Sequence, residues 1–566
     1  MTEVRGCFVA APLTPLRSSM ATSQNASTDA LFVGYEDQEN LGLRSIIAAL
    51  QAHGFRTRLE AFTPRDSSGI LTAAQKYHPH LIGFSIIFQY TFDEFTKLME
   101  RLREADIKAH FTVGGHFPSL CPREVLEAVP HIDSVVRCEG EYTTLELLQN
   151  LHQPNNWTNI KGLAFRRDSQ VIINPSRPLV VDLDSLHLPV RSNPRSMPRN
   201  IRVASMLASR GCLYNCSFCS IRQFYGLAPG PLRRTRSPQA VAAEMKELYK
   251  HNHVQFFIFQ DDDFTSGSSK QRQWIEEFLF ALNKEDLSGH ITWKIACRVD
   301  DIEEDILIKS RDRGLIAVYL GVESGNARGL QTLNKHVTLE QNLSAIEILK
   351  RIDLTFEMGF MLLDPDSTIG TVRENIEFLR HVTADGSCCV NFCKMLPYSG
   401  TPIEERLRKE GRLMGSLSQP NYNFLDPRLD WYEFFLSETF HFRNFDILGI
   451  AERLRTARID CCLARALKHD PQVDEYERVL RELTVRANTI ALDALDYGLS
   501  FIKSRDIDRI PADWPILDYF SNQKRQMEAE IQLDLDRVLA TYNPEMLRVY
   551  ADEFSRRFEE AYFDVS

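Results

Sequence analysis

The sequence predicts an α/β protein in three parts: an N-terminal Rossmann-like parallel sheet, a partial (β/α)6 TIM-like barrel, and a helical C-terminal domain. Three observations carry that reading. Short apolar runs alternate with amphipathic stretches over residues 1–155, six apolar strand candidates recur over 201–410, and residues 411–566 show helical periodicity with few turn residues. Strand and helix in alternation build βαβ units, and these pair into parallel sheets covered by helices.

In the N-terminal part the apolar runs 7–11, 57–62, 81–87, 110–114 and 134–138 read as strands, and 41–53 and 92–103 as amphipathic helices. The Ser, Thr and Asn stretch 18–28 has the composition of a loop. Glycines and polar residues stand where strands should end: Gly83 and Ser85, then Gly114, Gly115 and His116, then Glu139, Gly140 and Glu141. Ligands of open α/β sheets bind outside those carboxyl ends, and glycine lets backbone approach a ligand closely. Residues 156–200 read as a linker, with a hairpin at 162–166 and 171–174 and a crossing whose Pro189, Pro194 and Pro198 disfavour helix.

The six strand candidates of the core are 203–209, 256–260, 291–297, 315–321, 355–363 and 389–396. After the first comes the array Cys212, Cys216 and Cys219, spaced C-x3-C-x2-C. Three soft ligands on one loop can hold three irons of a cubane and leave the fourth iron open. A zinc knuckle competes for the same residues but needs a fourth ligand, and the next His and Cys are as distant as His251 and Cys297. Asp261, Asp262 and Asp263 follow the second strand, Arg298 the third, and Glu323 and Ser324 the fourth, at the end where barrel enzymes place their chemistry. Cys388, Cys389 and Cys393 fall at the start of or within the last strand candidate and read as core. In the tail, 450–467, 476–492 and 526–539 are helical by period, and the aromatic segment 422–445 reads first as core and second as a cavity wall.

Composition excludes several classes. At 566 residues, with 43% hydrophobic and 25% charged content, the chain is that of an ordinary globular protein with several domains. A net charge of -11 disfavours non-specific attraction to nucleic acid or to a membrane surface. No apolar run approaches the roughly 20 residues needed to span a bilayer, and the start lacks the pattern of a secretory signal, so a cytoplasmic location is expected. Twelve cysteines without such a signal argue against a disulfide framework.

The cysteine array, Asp261-Asp262-Asp263-Phe264 and Gly321-Val322-Glu323-Ser324-Gly325 together resemble the radical S-adenosylmethionine (SAM) superfamily. The ordered elements Asn40-Leu41-Gly42-Leu43, Gly83-Phe84-Ser85, Val113-Gly114-Gly115-His116 and Cys138-Glu139-Gly140-Glu141 resemble the cobalamin-binding domain that precedes the radical SAM core in one large class. The resemblance implies a 4Fe-4S cluster on Cys212, Cys216 and Cys219, with SAM on the open iron and Phe218 near its adenine. It further implies Asp261, Asp263, Arg298, Glu323 and Ser324 as SAM contacts. Gly83, Ser85, Gly114, Gly115, His116, Glu139, Gly140 and Glu141 are the implied cobalamin contacts, and no catalytic acid or base is assigned. The D-x-H-x-x-G signature for a lower axial histidine is absent. The implied activity is methylation of an unactivated carbon in a small-molecule or peptide substrate, by way of a 5'-deoxyadenosyl radical and methylcobalamin. The implied electron donor resembles flavodoxin or ferredoxin. Cobalamin-assisted cyclisation or oxidation is the rival within the fold, and a non-catalytic cobalamin or cluster sensor is the rival outside it.

Overall fold

A computed structural model describes residues 28–64, 67–192 and 194–563. The strand at 7–11 and residues 18–27 of the loop, both expected from the sequence, lie outside these. Within them the first strand is β1, Ala30–Gly34, a segment that the sequence reading passes over. It is only five residues long, yet every one is buried, because it is an interior strand of its sheet with a neighbour on each side.

The N-terminal sheet also contains β2 (Thr57–Ala61), β3 (Leu81–Ser85), β4 (His110–Gly114), β5 (Ser134–Val136), β6 (Leu163–Arg167) and β7 (Gln170–Ile173). Its order is β2-β1-β3-β4-β5-β6-β7. The first five of these are parallel, whereas β6 and β7 are antiparallel. The expected hairpin therefore forms, but it extends the N-terminal sheet beyond residue 155 instead of standing free as a spacer. Strand order reverses between β1 and β3, and such a switch point opens a crevice at the carboxyl ends of the strands.

The second sheet has the order β16-β15-β14-β13-β12-β9-β8. Here β9 (Ile201–Met206), β12 (Val254–Phe259), β13 (Thr292–Arg298), β14 (Leu315–Glu323), β15 (Thr355–Leu363) and β16 (Cys393–Lys394) run parallel as the half-barrel, and β8 (Arg195–Met197) is an antiparallel edge. The last strand is far shorter than the expected 389–396. Backbone groups that would have paired there are taken by the tail: Val390 N–H donates to Asn488 Oδ1 at 2.8 Å, and Phe392 O accepts from Asn444 Nδ2 at 3.0 Å. Cys388 and Cys389 thus sit in a connection, not a strand. Both still pack into apolar clusters, as expected of core cysteines.

Phe259, Phe264, Trp274, Phe278 and Trp293 meet edge to face and stacked where the helices cover the first half of the barrel. The tail is helical, with Arg428–Phe445, Ile450–Leu463, Val473–Lys503, Ile510–Tyr542 and Pro544–Phe563. Arg443, 2% exposed, anchors it by donating to Glu528 at 2.9 Å and to Val390 O at 2.5 Å. Ile459 and Leu463 of the second tail helix pack against Ile201, Phe256 and Ala317 of the barrel strands. Among the described residues no helix is long and apolar enough to cross a membrane.

Phe278 is fully buried inside the aromatic cluster. Phe278→Ala is expected to lower the unfolding free energy by about 3 to 5 kcal/mol through the cavity it leaves, read as a shift in the denaturant midpoint of the barrel transition.

Candidate functional site

One cavity of about 910 Å³ runs from the crevice of the N-terminal sheet into the half-barrel. All eight N-terminal positions picked out from the sequence line it: Gly83, Ser85, Gly114, Gly115, His116, Glu139, Gly140 and Glu141. The glycines are sterically required. A Cβ on Gly83 would lie 2.8 Å from the Phe32 ring, and Gly115, at φ +111°, would press its Cβ to 2.5 Å from Ile86 O. His116 stands beside Phe224, ring centroids 4.3 Å apart, and burial lowers its pKa to about 4, so a neutral imidazole faces the cavity.

The cysteine loop leaves a two-stranded ribbon made by β10 (Ser209–Arg210) and β11 (Arg234–Thr235) and ends where Cys219 caps the helix Ser220–Gly226. Gly211 begins it at φ +87°, where a Cβ would run into Leu232 O, and its N–H donates to Asp262 at 3.0 Å. Backbone bonds Ser217 N–H to Leu333 O and Ile403 N–H to Ser217 O, 2.9 and 3.0 Å, pin the loop to the barrel. Burial pushes the Cys212 and Cys219 thiols up to about 12, so ligation would release their protons. Among the described residues no group of three or more Cys, His, Asp or Glu converges as the ligands of a single ion. A cubane asks something else, that each thiolate reach a different iron. Three thiols on one pinned loop, with no fourth protein ligand, fit that group.

The remaining sequence candidates separate into two sets. Phe218, Asp261, Arg298 and Glu323 line the cavity, whereas Asp263 and Ser324 are buried outside its lining. Asp261 is occupied, accepting from Ser209 Oγ at 2.5 Å and Ala208 N–H at 3.1 Å. Ser324 bonds Asn375 at 3.2 Å, and Asp263 accepts weakly from Ser266 N–H at 3.4 Å. Arg298 is also largely spent: it forks onto Asp300 at 2.9 and 3.1 Å, donates to Lys335 O at 2.6 Å, and stacks 3.6 Å from the Tyr214 ring centre. Its Nη1 lies 3.4 Å from Cys216 Sγ, an N–H donor aimed at one thiol of the loop. Glu323 holds φ +66° at a β-bulge, a conformation rare for any residue but glycine, and pairs with Lys335 Nζ at 3.2 Å.

Two cavity residues are not among the contacts that the resemblance implies. Asp262 lies between two aspartates that are; it lines the cavity beside Asp261 but stays exposed where Asp261 is buried, and the surrounding protein, which excludes bulk water, pushes its carboxyl up to about 7. Lys335 carries no motif signal, and only the fold brings it across to Glu323.

Glu139 and Glu141 do more than line the crevice. Glu139 accepts from Arg210 at 2.9 Å, from Arg234 at 2.9 and 3.0 Å, and from Val180 N–H at 2.9 Å, while Glu141 takes the other arm of Arg210 at 2.7 Å. Burial alone would raise the Glu139 pKa, but the two guanidinium groups outweigh it and hold the carboxyl below its usual range.

Residues 29–148 match the B12 binding domain family, and residues 206–379 match the Radical SAM superfamily. The chain is a cobalamin-dependent radical SAM enzyme, and the two families together imply cobalamin, SAM and a 4Fe-4S cluster. It is 26% identical to an uncharacterized methyltransferase of Pyrococcus horikoshii, over 64% of this chain and 76% of that protein. It is 30% identical to an anaerobic magnesium-protoporphyrin IX monomethyl ester cyclase of Rubrivivax gelatinosus, over 56% of each chain. The solved structure of the cobalamin-dependent SAM radical enzyme OxsB, with aqua-cobalamin and SAM bound, shares the fold at TM-score 0.64 and 16% identity, over 93% of this chain and 84% of that one.

Glu139→Ala leaves Arg234 charged and buried without its carboxylate, and is expected to weaken the junction of the two sheets by about 3 to 5 kcal/mol. Faster proteolysis within residues 176–192 would report it. Because the folded-state pKa of Glu139 is depressed, its contribution is present above the ordinary carboxylate range and lost as pH falls through and below it. Wild type should therefore approach the proteolytic sensitivity of the variant on acidification.

Proposed function

We propose that this enzyme methylates an unactivated carbon of a small-molecule or peptide substrate. The observation that carries the proposal is the main cavity, which joins the glycine-lined crevice, the end of the cysteine loop and the barrel interior in one continuous space. When bound, the cluster supplies the electron that splits SAM, and cobalamin supplies the methyl carrier. In this reading Cys212, Cys216 and Cys219 hold the cluster. Phe218 offers an aromatic face for the adenine. Asp262 and Glu323 are the carboxylates open to the SAM ammonium and ribose hydroxyls, a task for which the occupied Asp261 and the enclosed Asp263 and Ser324 are less suited. Arg298 serves the Cys216 sulfur instead of the SAM carboxylate. Gly83, Gly114, Gly115 and Gly140 let the backbone approach the corrin and its tail, with Ser85 and His116 as polar contacts. The electron comes from a small redox protein of the flavodoxin or ferredoxin kind, and a soluble, reducing compartment suits the thiols.

A second reading, cobalamin-assisted cyclisation, is favoured by the likeness to the Rubrivivax cyclase. Turnover with methyl-labelled SAM separates the two. Methyl transfer is expected to yield 5'-deoxyadenosine and S-adenosylhomocysteine in near-equal amounts and a product heavier by one labelled methyl. Product with 5'-deoxyadenosine and no S-adenosylhomocysteine would establish the cyclase reading in its place.

The ligand assignment has its own measurement. Replacing Cys212, Cys216 and Cys219 together by Ala is expected to abolish iron–sulfur absorbance and SAM cleavage, and a full cluster in that variant would refute the assignment. Arg298→Leu should keep the cluster but move its reduction potential to more negative values, since a positive charge and a hydrogen bond at a ligand sulfur both favour the reduced state. Redox titration followed by electron paramagnetic resonance reads that shift.

A further inference from the structure

Beneath the cysteine loop the barrel interior opens into a chamber with a charged floor. Lys294, Ala296 and Arg298 alternate along β13 and share its inward face, and all three line the cavity. Register sets Ala296 beside Tyr319, Arg298 beside Gly321, and Gly321 beside Gly359. Ala296 presents almost no side chain between Lys294 and Arg298, and the Tyr319 phenol, packed over Gly359, flanks the space there. Four residues of strand make it about 13 Å deep.

The floor is built by the barrel and the tail together. Lys294 Nζ donates to Glu357 Oε1 at 2.8 Å, while Arg455, from the tail helix Ile450–Leu463, lies 3.3 Å from both Glu357 oxygens and 2.9 Å from Glu452. The two cations line the main cavity; their carboxylates do not, and instead line a separate cavity of about 50 Å³. The base of the chamber therefore presents the cationic side of a neutral cluster, with the paired carboxylates behind it. A four-charge cluster buried this deeply is poorly explained by stability, because its desolvation offsets most of its attraction. Lys294 has three N–H donors and uses one on the protein. Around it Phe256, Ile258 and Ile459 make the walls apolar.

We infer that this chamber is the substrate site, closed below by the tail helix Ile450–Leu463, and that its substrate pairs an apolar body with an oxyanion set against Lys294 and Arg455. The inference rests on the enzymatic reading above and adds the class of substrate to it. Body and anion are recognised separately: Phe256, Ile258 and Ile459 take the first, and Lys294 supplies directional donors to the second. The target carbon then points up toward Arg298 and the cysteine loop.

Calorimetric titration of the reconstituted holoenzyme with 2-naphthoate, 2-naphthyl phosphate and the neutral 2-naphthamide tests this without turnover. At least one anion is expected to bind wild type about tenfold or more tighter than the amide, and which anion does so distinguishes a carboxylate from a phosphate substrate. Lys294→Met should erase that preference while leaving amide binding within about twofold, and Ile459→Trp, which fills the chamber without changing charge, should weaken all three probes. Equal binding of anions and amide to wild type, no binding of any probe, or a preference that survives in a folded Lys294→Met variant would each overturn the inference. The wild-type comparison and Ile459→Trp stand even if Lys294→Met does not fold. Because binding is read apart from chemistry, the chamber assignment can fail while the coproduct ratio still reports methyl transfer, and the converse also holds.

Discussion

The carboxylate of Glu139 is the point on which the two catalytic halves of this molecule meet. It receives Arg210 from the ribbon that launches the cysteine loop, Arg234 from the other strand of that ribbon, and the backbone of Val180 from the linker. Three separate segments thus converge on one turn of the N-terminal sheet. Such a buried network is cooperative in the sense that losing one member strands the others as uncompensated charge, so it holds a definite geometry and resists intermediate ones. A second fastening works alongside it: Glu39, just beyond β1, accepts from Ser205 N–H at 2.7 Å and from Arg191 at 3.0 Å. Between these two clamps the mouth of the crevice faces the mouth of the half-barrel.

With that spacing set, the chemistry of the cavity follows from which side chains are already engaged. Arg298, Asp261 and Ser324 spend most of their hydrogen-bonding capacity on protein, whereas Asp262 keeps its carboxylate toward the open space. Glu323 stands in a left-handed conformation at a bulge, held by Lys335. Backbone strain of this kind persists only where the surroundings impose it, and it collects at functional sites. The same logic separates the cysteines. Cys219 of the loop after β9 lines the main cavity, while Cys388 and Cys389 pack against apolar clusters and border the small cavity behind Glu357.

Much of this was legible in the chain itself. Alternation of strand and helix, the six barrel strands, the C-x3-C-x2-C array and the glycines at strand ends all depend on local pattern, so residue order was enough to find them. Where the reading faltered, the cause was non-local. Strand Ala30–Gly34 is a five-residue run whose meaning comes from its place between two other strands of a sheet. The hairpin Leu163–Ile173 looked like a spacer because nothing in its own residues tells which edge it will join. The last barrel strand was cut short by Asn444 and Asn488, which lie far along the chain.

The sequence by itself therefore determined the class of the protein, its three-part architecture and the place of the cysteine array, because each rests on residue type and short-range spacing. Only the tertiary structure decided which acid of the run Asp261-Asp262-Asp263 opens into the cavity, what Arg298 touches, and that Glu139 joins two domains as well as lining a crevice. It alone brought Arg455, from a tail with no recognisable motif, beneath Lys294 in the barrel. Glu357, which pairs with both, lies 63 positions from Lys294 and 98 from Arg455. Electrostatic partnership at that range is set by how helices and sheets pack, and no local pattern encodes it.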